Sequence, residues 1–279
     1  MSNTLSFYRS SIGKKWVVAL TGVALIGFVI AHLIGNLQFF WGPKVINEYG
    51  THLRELPFGM LWAMRAGLLV IVLAHIITTI ILVKQNREAR GTPYEFKANV
   101  QAKLATKLMA VSGIIVLSYI VFHIMHFTTH NVNTDFAKWN YIDPHDANKF
   151  EHHDVYRMLV SGFSNIGISL FYIVAMVLLA SHLSHGAASL FQTLGLRTKK
   201  MACCLGLCAQ IFAWALCLGY ISIPVAVMVG AYDKAYIAQV NGKVAAADTS
   251  CCDPEPATAT PAKATASAAA AKAEGKGGN

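Results

Sequence analysis

Five apolar stretches, near residues 16–41, 59–83, 104–127, 158–191 and 201–232, leave this chain few ways to fold. Each is long enough to cross a hydrocarbon layer about 30 Å thick, which takes about 20 helical residues. Their apolar character is continuous rather than alternating. A backbone in lipid must also satisfy its own hydrogen bonds, so helices are expected and strands are not. Only 13% of the residues are charged, against about 25% in soluble domains, and mean hydropathy is +0.47. A soluble enzyme with a polar shell is thereby excluded. The expected fold is an all-α integral membrane protein, a five-transmembrane-helix bundle spanning 1–243. The fourth stretch is longer than a span needs, so one of its ends is expected to project into water. The first is too long for the apolar part of a cleaved leader and is expected to be retained.

The net charge of +9 does not mark a nucleic-acid surface, because the basic residues lie between apolar runs rather than in a patch. Their distribution sets an orientation instead. With the N-terminus cytoplasmic, the inner segments hold Arg9, Lys14, Lys15, Lys84, Arg87, Arg90, Lys97, Lys103, Lys107, Arg197, Lys199 and Lys200. The outer connections hold Lys44, Arg54, Arg65, Lys138, Lys149 and Arg157. This bias favours a cytoplasmic N-terminus, and five spans then put the C-terminus outside. From about Val244 the chain turns to Ala, Pro, Thr, Lys and Gly, so 244–279 is expected to be a disordered tail. No internal repeat is evident.

Cys203, Cys204, Cys208 and Cys217 fall in the fifth stretch, and Cys251 and Cys252 in the tail. None has the spacing of a zinc or iron–sulfur site, so the first four read as small apolar residues of a membrane helix. The histidines are more informative, because ionisable side chains inside a bilayer are costly and mark function. His32 lies late in the first stretch, His75 late in the second, His123 and His126 late in the third, and His182 and His185 late in the fourth. Successive spans run in opposite directions, so "late" alternates between the outer and inner ends. His32 shares an outer level with His123 or His126, and His75 an inner level with His182 or His185.

Two histidines facing each other across a bundle meet the needs of a bis-imidazole haem iron, and two such layers make a transmembrane electron path. Gly27, Gly35, Gly67, Gly113 and Gly186 would let a flat ring approach the backbone. The five stretches contain no Asp or Glu, which argues against a proton-coupled transporter. Depth ranks His123 ahead of His126 and His182 ahead of His185, with both doublets left open. His52, His130, His145, His152 and His153 fall in outer connections and are expected to be solvated.

Several runs stand out: Ser11-Ile-Gly-Lys-Lys-Trp-Val-Val-Ala-Leu-Thr-Gly22, Ala31-His-Leu-Ile-Gly-Asn-Leu37, Leu56-Pro-Phe58, Leu73-Ala-His75, Val121-Phe-His123, His182-Leu-Ser-His-Gly186 and Ala188-Ser-Leu-Phe191. In order and spacing they resemble the di-haem cytochrome b membrane anchor of succinate dehydrogenase and fumarate reductase. The resemblance covers about residues 5–232. It implies a bundle enclosing two b-type haems, one held by His32 and His123 near the outer face and one by His75 and His182 near the inner face. It implies two partners on the cytoplasmic side, a flavoprotein subunit that handles succinate and fumarate and an iron–sulfur subunit. It also implies a quinone, menaquinone in many such proteins, and a bacterial inner membrane. Relatives place a carboxylate near the outer haem after the first span, and Glu48 and Glu55 are the carboxylates there. On this reading the chain is not an enzyme on its own. It is the electron-transfer subunit of a succinate:quinone oxidoreductase of the tricarboxylic acid cycle and respiratory chain. The alternatives are the haem b subunit of a hydrogenase or nitrate reductase, or a haem-free transporter or scaffold.

Overall fold

The computed structural model describes residues 10–89, 109–142, 151–198 and 200–250. The chain forms two units, Met1–Ile237 and Ala238–Asn279. The helices are α1 (Ser11–Leu37), α2 (Pro43–Arg54), α3 (Met60–Glu88), α4 (Met109–Phe127), α5 (Val155–Ser164), α6 (Ile166–Thr193), α7 (Ala202–Met228) and α8 (Lys234–Ser250). Four segments are long and apolar enough to cross a membrane: Ser11–Trp41, Pro57–Glu88, Ile166–Thr193 and Ala202–Met228. The chain is thus an all-α, multi-pass membrane protein. The apolar helix Val111–Phe127 is shorter, and residues 104–108 of the third expected stretch lie outside the described residues. Large apolar side chains such as Leu20, Leu69, Val70, Ile211 and Leu218 are exposed, as the lipid-facing side chains of a membrane bundle would be.

Local chemistry explains where the helices begin and turn. Ser10 caps α1 by accepting from the Gly13 amide at 2.9 Å. A 3-10 turn, Gln38–Trp41, extends α1 to Gly42, whose φ of 98° suits glycine, and Pro43 then starts α2. Phe58 and Gly59 both have positive φ, which makes the sharp entry to α3.

Three features differ from the sequence expectations. The fourth stretch is not one rod, because Asn165 leaves the helical conformation and caps α6, its side chain accepting from the Gly167 and Ile168 amides. The preceding α5 lies outside the apolar segment Ile166–Thr193. Its Tyr156, Leu159, Val160 and Phe163 are buried, and it packs on α2, α6 and α7. Two short strands also form outside the apolar stretches: β1 (Asn140–Ile142) pairs antiparallel with β2 (Glu151–His153), Tyr141 opposite His152. Finally, α8 runs to Ser250, so residues 244–250 of the expected disordered tail are helical. Cys251 and Cys252 lie outside the described residues, as does the tail beyond them.

Close backbone packing joins α6 to α7, α1 to α3, and α4 to α6, with α1 also against α6 and α7. Small residues make the α6–α7 seam, Ala175, Ala180, Ala213 and Cys217 among them. Cys217 is therefore a core residue, while Cys203, Cys204 and Cys208 are exposed on α7. A second core beside the α2 and α5 helices gathers Phe39, Ile46, Tyr156, Phe163, Tyr172 and Ile223.

Candidate functional site

α1, α3, α4 and α6 carry His32, His75, His123 and His182, one each, and the fold sorts these into two groups. The His32 and His123 rings lie 5.8 Å apart, centre to centre, with planes at 80°. Two metal–nitrogen bonds of about 2 Å, plus the half-widths of two imidazoles, require about 6 Å between ring centres. His75 and His182 lie within electrostatic reach of each other, as do His182 and His185.

Contacts along α4 and α6 give the depth relation. Ser112 meets His182, while His123 and His126, further along α4, meet Tyr172, earlier on α6. The two helices are therefore antiparallel. From Tyr172 to His182 is ten residues, about 15 Å of helical rise, which separates the His123 and His182 levels.

Among the described residues, α1 with α4 and α3 with α6 are absent from the closely packed pairs, whereas α1 with α3 and α4 with α6 are among them. The His32–His123 spacing fits a bis-imidazole haem, and His75 and His182 are the residues that would hold a second. Of the glycines expected to admit such rings, Gly113 sits against His182, its Cβ position 3.4 Å from the ring. Gly35 instead meets Tyr49, and Gly27, Gly67 and Gly186 face open space.

The outer histidines are boxed by aromatic rings. His32 stacks on Phe28 at 5.3 Å, and His123 on Tyr119 at 5.8 Å. The Tyr172 hydroxyl lies 3.4 Å from His123 Nδ1 and 3.1 Å from His126 Nδ1. His126 is almost fully buried, with the Phe127 ring 4.0 Å and the Phe136 ring 5.6 Å away. The ring facing His32 is that of His123. In the inner layer, the Thr21 hydroxyl is 3.0 Å from His75 Nδ1, and the Ser112 hydroxyl is 3.2 Å from His182 Nδ1. Sequence reasoning passed over Thr21, Ser112 and Tyr172, because hydroxyls in apolar helices are common.

Glu48 and Glu55 line one shallow cleft of about 140 Å³ with Thr51, His52, Tyr141 and His152. Both carboxylates are exposed. Glu48 pairs with Lys44 at 3.7 Å, and Glu55 lies 4.0 Å from His152 Nδ1. Beside α2 lies a buried polar network that sequence reasoning also passed over. Asp154 caps α5 through the Arg157 amide and accepts from Asn47 Nδ2 at 3.1 Å and from the Tyr236 hydroxyl at 2.7 Å. Burial, then the Asp154 carboxylate, hold the Tyr236 phenol above its ordinary range, so it stays a donor. The sequence expectation that His52, His130, His145, His152 and His153 are solvated fails for His153. His153 is buried, stacked 5.4 Å from His130, with Nε2 3.4 Å from Met158 Sδ. Burial, with Arg54 and His130 adding to it, pushes its pKa down to about 4. His145 lies outside the described residues.

Among the described residues there is no cluster of three or more His, Cys, Asp or Glu that would hold a metal ion by side chains alone. A bis-imidazole haem needs only two such groups per iron. Compared with protein-family profiles, curated proteins and solved structures, the chain matches none.

Proposed function

We propose that this chain is a di-haem membrane cytochrome b, the anchor and electron-transfer subunit of a succinate:quinone oxidoreductase. The observation that carries the haem reading is the pair of imidazole levels. His32 and His123 face each other at 5.8 Å, and His75 and His182 lie within mutual electrostatic reach on α3 and α6, which are not among the closely packed pairs. The choice of complex rests on the quoted runs between Ser11 and Phe191 that resemble that family.

In this reading His32 and His123 would hold an outer haem b, and His75 and His182 an inner one. Bound haem supplies one-electron transfer at iron, which no side chain of this protein can provide. The protein's own part is positional. Stacking on Phe28 and Tyr119 sets the planes of the outer rings, and the Tyr172 hydroxyl engages His123 Nδ1. Apolar side chains of four helices keep water from the inter-helix gaps and so tune the potentials. Glu48 and Glu55 are the carboxylates after the first span from which an acceptor of quinone protons would come, menaquinone being the quinone in this proposal. The partners are a flavoprotein and an iron–sulfur subunit on the cytoplasmic face of a bacterial inner membrane. The N-terminus is cytoplasmic, the C-terminus outside, and α4 belongs to the remaining one of five spans.

A pyridine haemochrome assay on the full chain, purified in detergent after expression with ample haem supply, tests this reading. Two haems b per chain are expected, together with co-purification of a flavoprotein when neighbouring subunits are co-expressed. A colourless protein would overturn the haem assignment. Haem without a flavoprotein would overturn the choice of complex.

A further inference from the structure

Each inner histidine is backed by a hydroxyl on a neighbouring helix, and hydrogen-bond arithmetic decides which partner holds the proton. A hydroxyl has one hydrogen to give. Thr21 donates its hydrogen within α1, with Oγ1 2.7 Å from the Val17 carbonyl and 3.1 Å from that of Val18. Ser112 donates to the Met109 carbonyl at 3.0 Å. What remains on each oxygen is a lone pair. The contacts at 3.0 Å to His75 and 3.2 Å to His182 therefore take their hydrogen from Nδ1. Both rings are thereby placed in the Nδ1–H tautomer, with the Val18 carbonyl beside His75 and the Met109 carbonyl beside His182 as further acceptors, which leaves the Nε2 lone pair free to bind a metal.

The same device occurs twice along the chain. Glycine follows each hydroxyl residue: the Cβ position of Gly22 is 3.7 Å from His75 Cε1, and that of Gly113 is 3.4 Å from His182 Cε1. Eleven residues after each hydroxyl stands an outer histidine, giving Thr21-Gly22 with His32 and Ser112-Gly113 with His123. Eleven residues make three helical turns, about 16 Å of rise, and return to within about 20° of the starting face. α1 and α4 are equivalent in this respect. Each presents an outer histidine and, on the same face three turns earlier, the acceptor that orients an inner histidine of the helix packed against it.

We infer that Thr21 and Ser112 are matched positioning residues for the inner haem, fixing the tautomer and ring orientation of His75 and His182. The inference rests on the haem reading above. Partners of this kind raise ligand basicity, and losing one typically costs 10–100-fold in metal affinity. Tyr172 cannot substitute for them, because its hydroxyl serves the outer level.

The test uses the full chain loaded with haem, in the wild type and in Thr21→Val, Thr21→Ser and Ser112→Ala. Haem transfer to excess apomyoglobin and a redox titration of both haems are read on each. Thr21→Val and Ser112→Ala are expected to release the inner haem about 10–100-fold faster. Whatever haem they retain there should have a more positive potential, with the outer haem unchanged. Thr21→Ser, which keeps the hydroxyl, should retain wild-type behaviour, whereas a purely steric role would fail in Thr21→Ser and survive in Thr21→Val. Two haems in the wild type, with unchanged release and potentials in Thr21→Val and Ser112→Ala, overturn this inference alone. A wild type without haem overturns the parent reading and this inference with it.

Discussion

Replacing Asn47 by aspartate changes one NH2 group to an oxygen and nothing in shape, yet it should be among the most damaging substitutions in the protein. Asn47 is fully buried, its Oδ1 accepting from the Tyr156 amide at 2.9 Å and its Nδ2 donating to Asp154 at 3.1 Å. In Asn47→Asp that donor becomes a second carboxylate oxygen facing the first. Two carboxylate charges about 4 Å apart repel by about 4 kcal/mol at an effective dielectric of about 20. The lost hydrogen bond adds about 1 kcal/mol. A proton shared between the two carboxyls relieves the repulsion, so the folded pair binds a proton more tightly than the unfolded chain does. A carboxyl pKa raised in the folded state leaves stability intact below the unfolded value of about 4 and loses it as pH rises through the folded value. The deficit relative to wild type should therefore be several kcal/mol at pH 8 and shrink at pH 5. Asn47→Leu provides the comparison, since it removes both hydrogen bonds without adding a second carboxylate. Thermal or SDS-induced unfolding in detergent micelles measures all three proteins. A deficit for Asn47→Asp that is absent at pH 8, or the same at both pH values, would show that these two side chains do not meet as described.

Alanine at His32 or His123 should remove the outer haem only, and alanine at His75 or His182 the inner haem only, halving the pyridine haemochrome yield in each case. An unchanged yield for any one removes that residue from the ligand set. Burial holds the folded His153 pKa near 4, below its ordinary 6.5, so the unfolded chain binds its proton first. Stability should be full above pH 6.5 and decline as pH falls through 6.5 towards 4, and melts of His153→Phe should show a shallower acid decline. At Gly162 an added Cβ would stand 2.9 Å from Phe127 and 3.1 Å from His126, so Gly162→Ala should cost about 1–3 kcal/mol by overpacking. Asn165→Ala removes the acceptor for two backbone amides at the start of α6. The unfolding assay should show a loss of about 1 kcal/mol.

Much of the architecture is readable before folding, because continuous apolar character is a local property. The stretches 16–41, 59–83 and 201–232 anticipate α1, α3 and α7 to within a few residues. The break at Asn165 was invisible, since the residues on either side are equally apolar and only the Asn165 side chain, turned onto the Gly167 and Ile168 amides, ends one helix and starts the next. The Asn140–Ile142 and Glu151–His153 ribbon was missed because three residues carry no period worth reading. His123 and His126 are also indistinguishable by spacing, being three apart on one helix. Phe127, Phe136 and the close approach of Gly162 enclose His126, whereas His123 turns towards His32.

Composition and periodicity by themselves determined that this is a helical membrane protein with histidines at two depths, because burying ionisable groups in lipid is costly enough to be conspicuous in any sequence. Tertiary structure alone decided which rings face each other and what turns them. Thr21 meets His75 across 54 positions of chain and Ser112 meets His182 across 70. A hydrogen bond extends only about 3 Å, so its partners become known when packing brings the helices together.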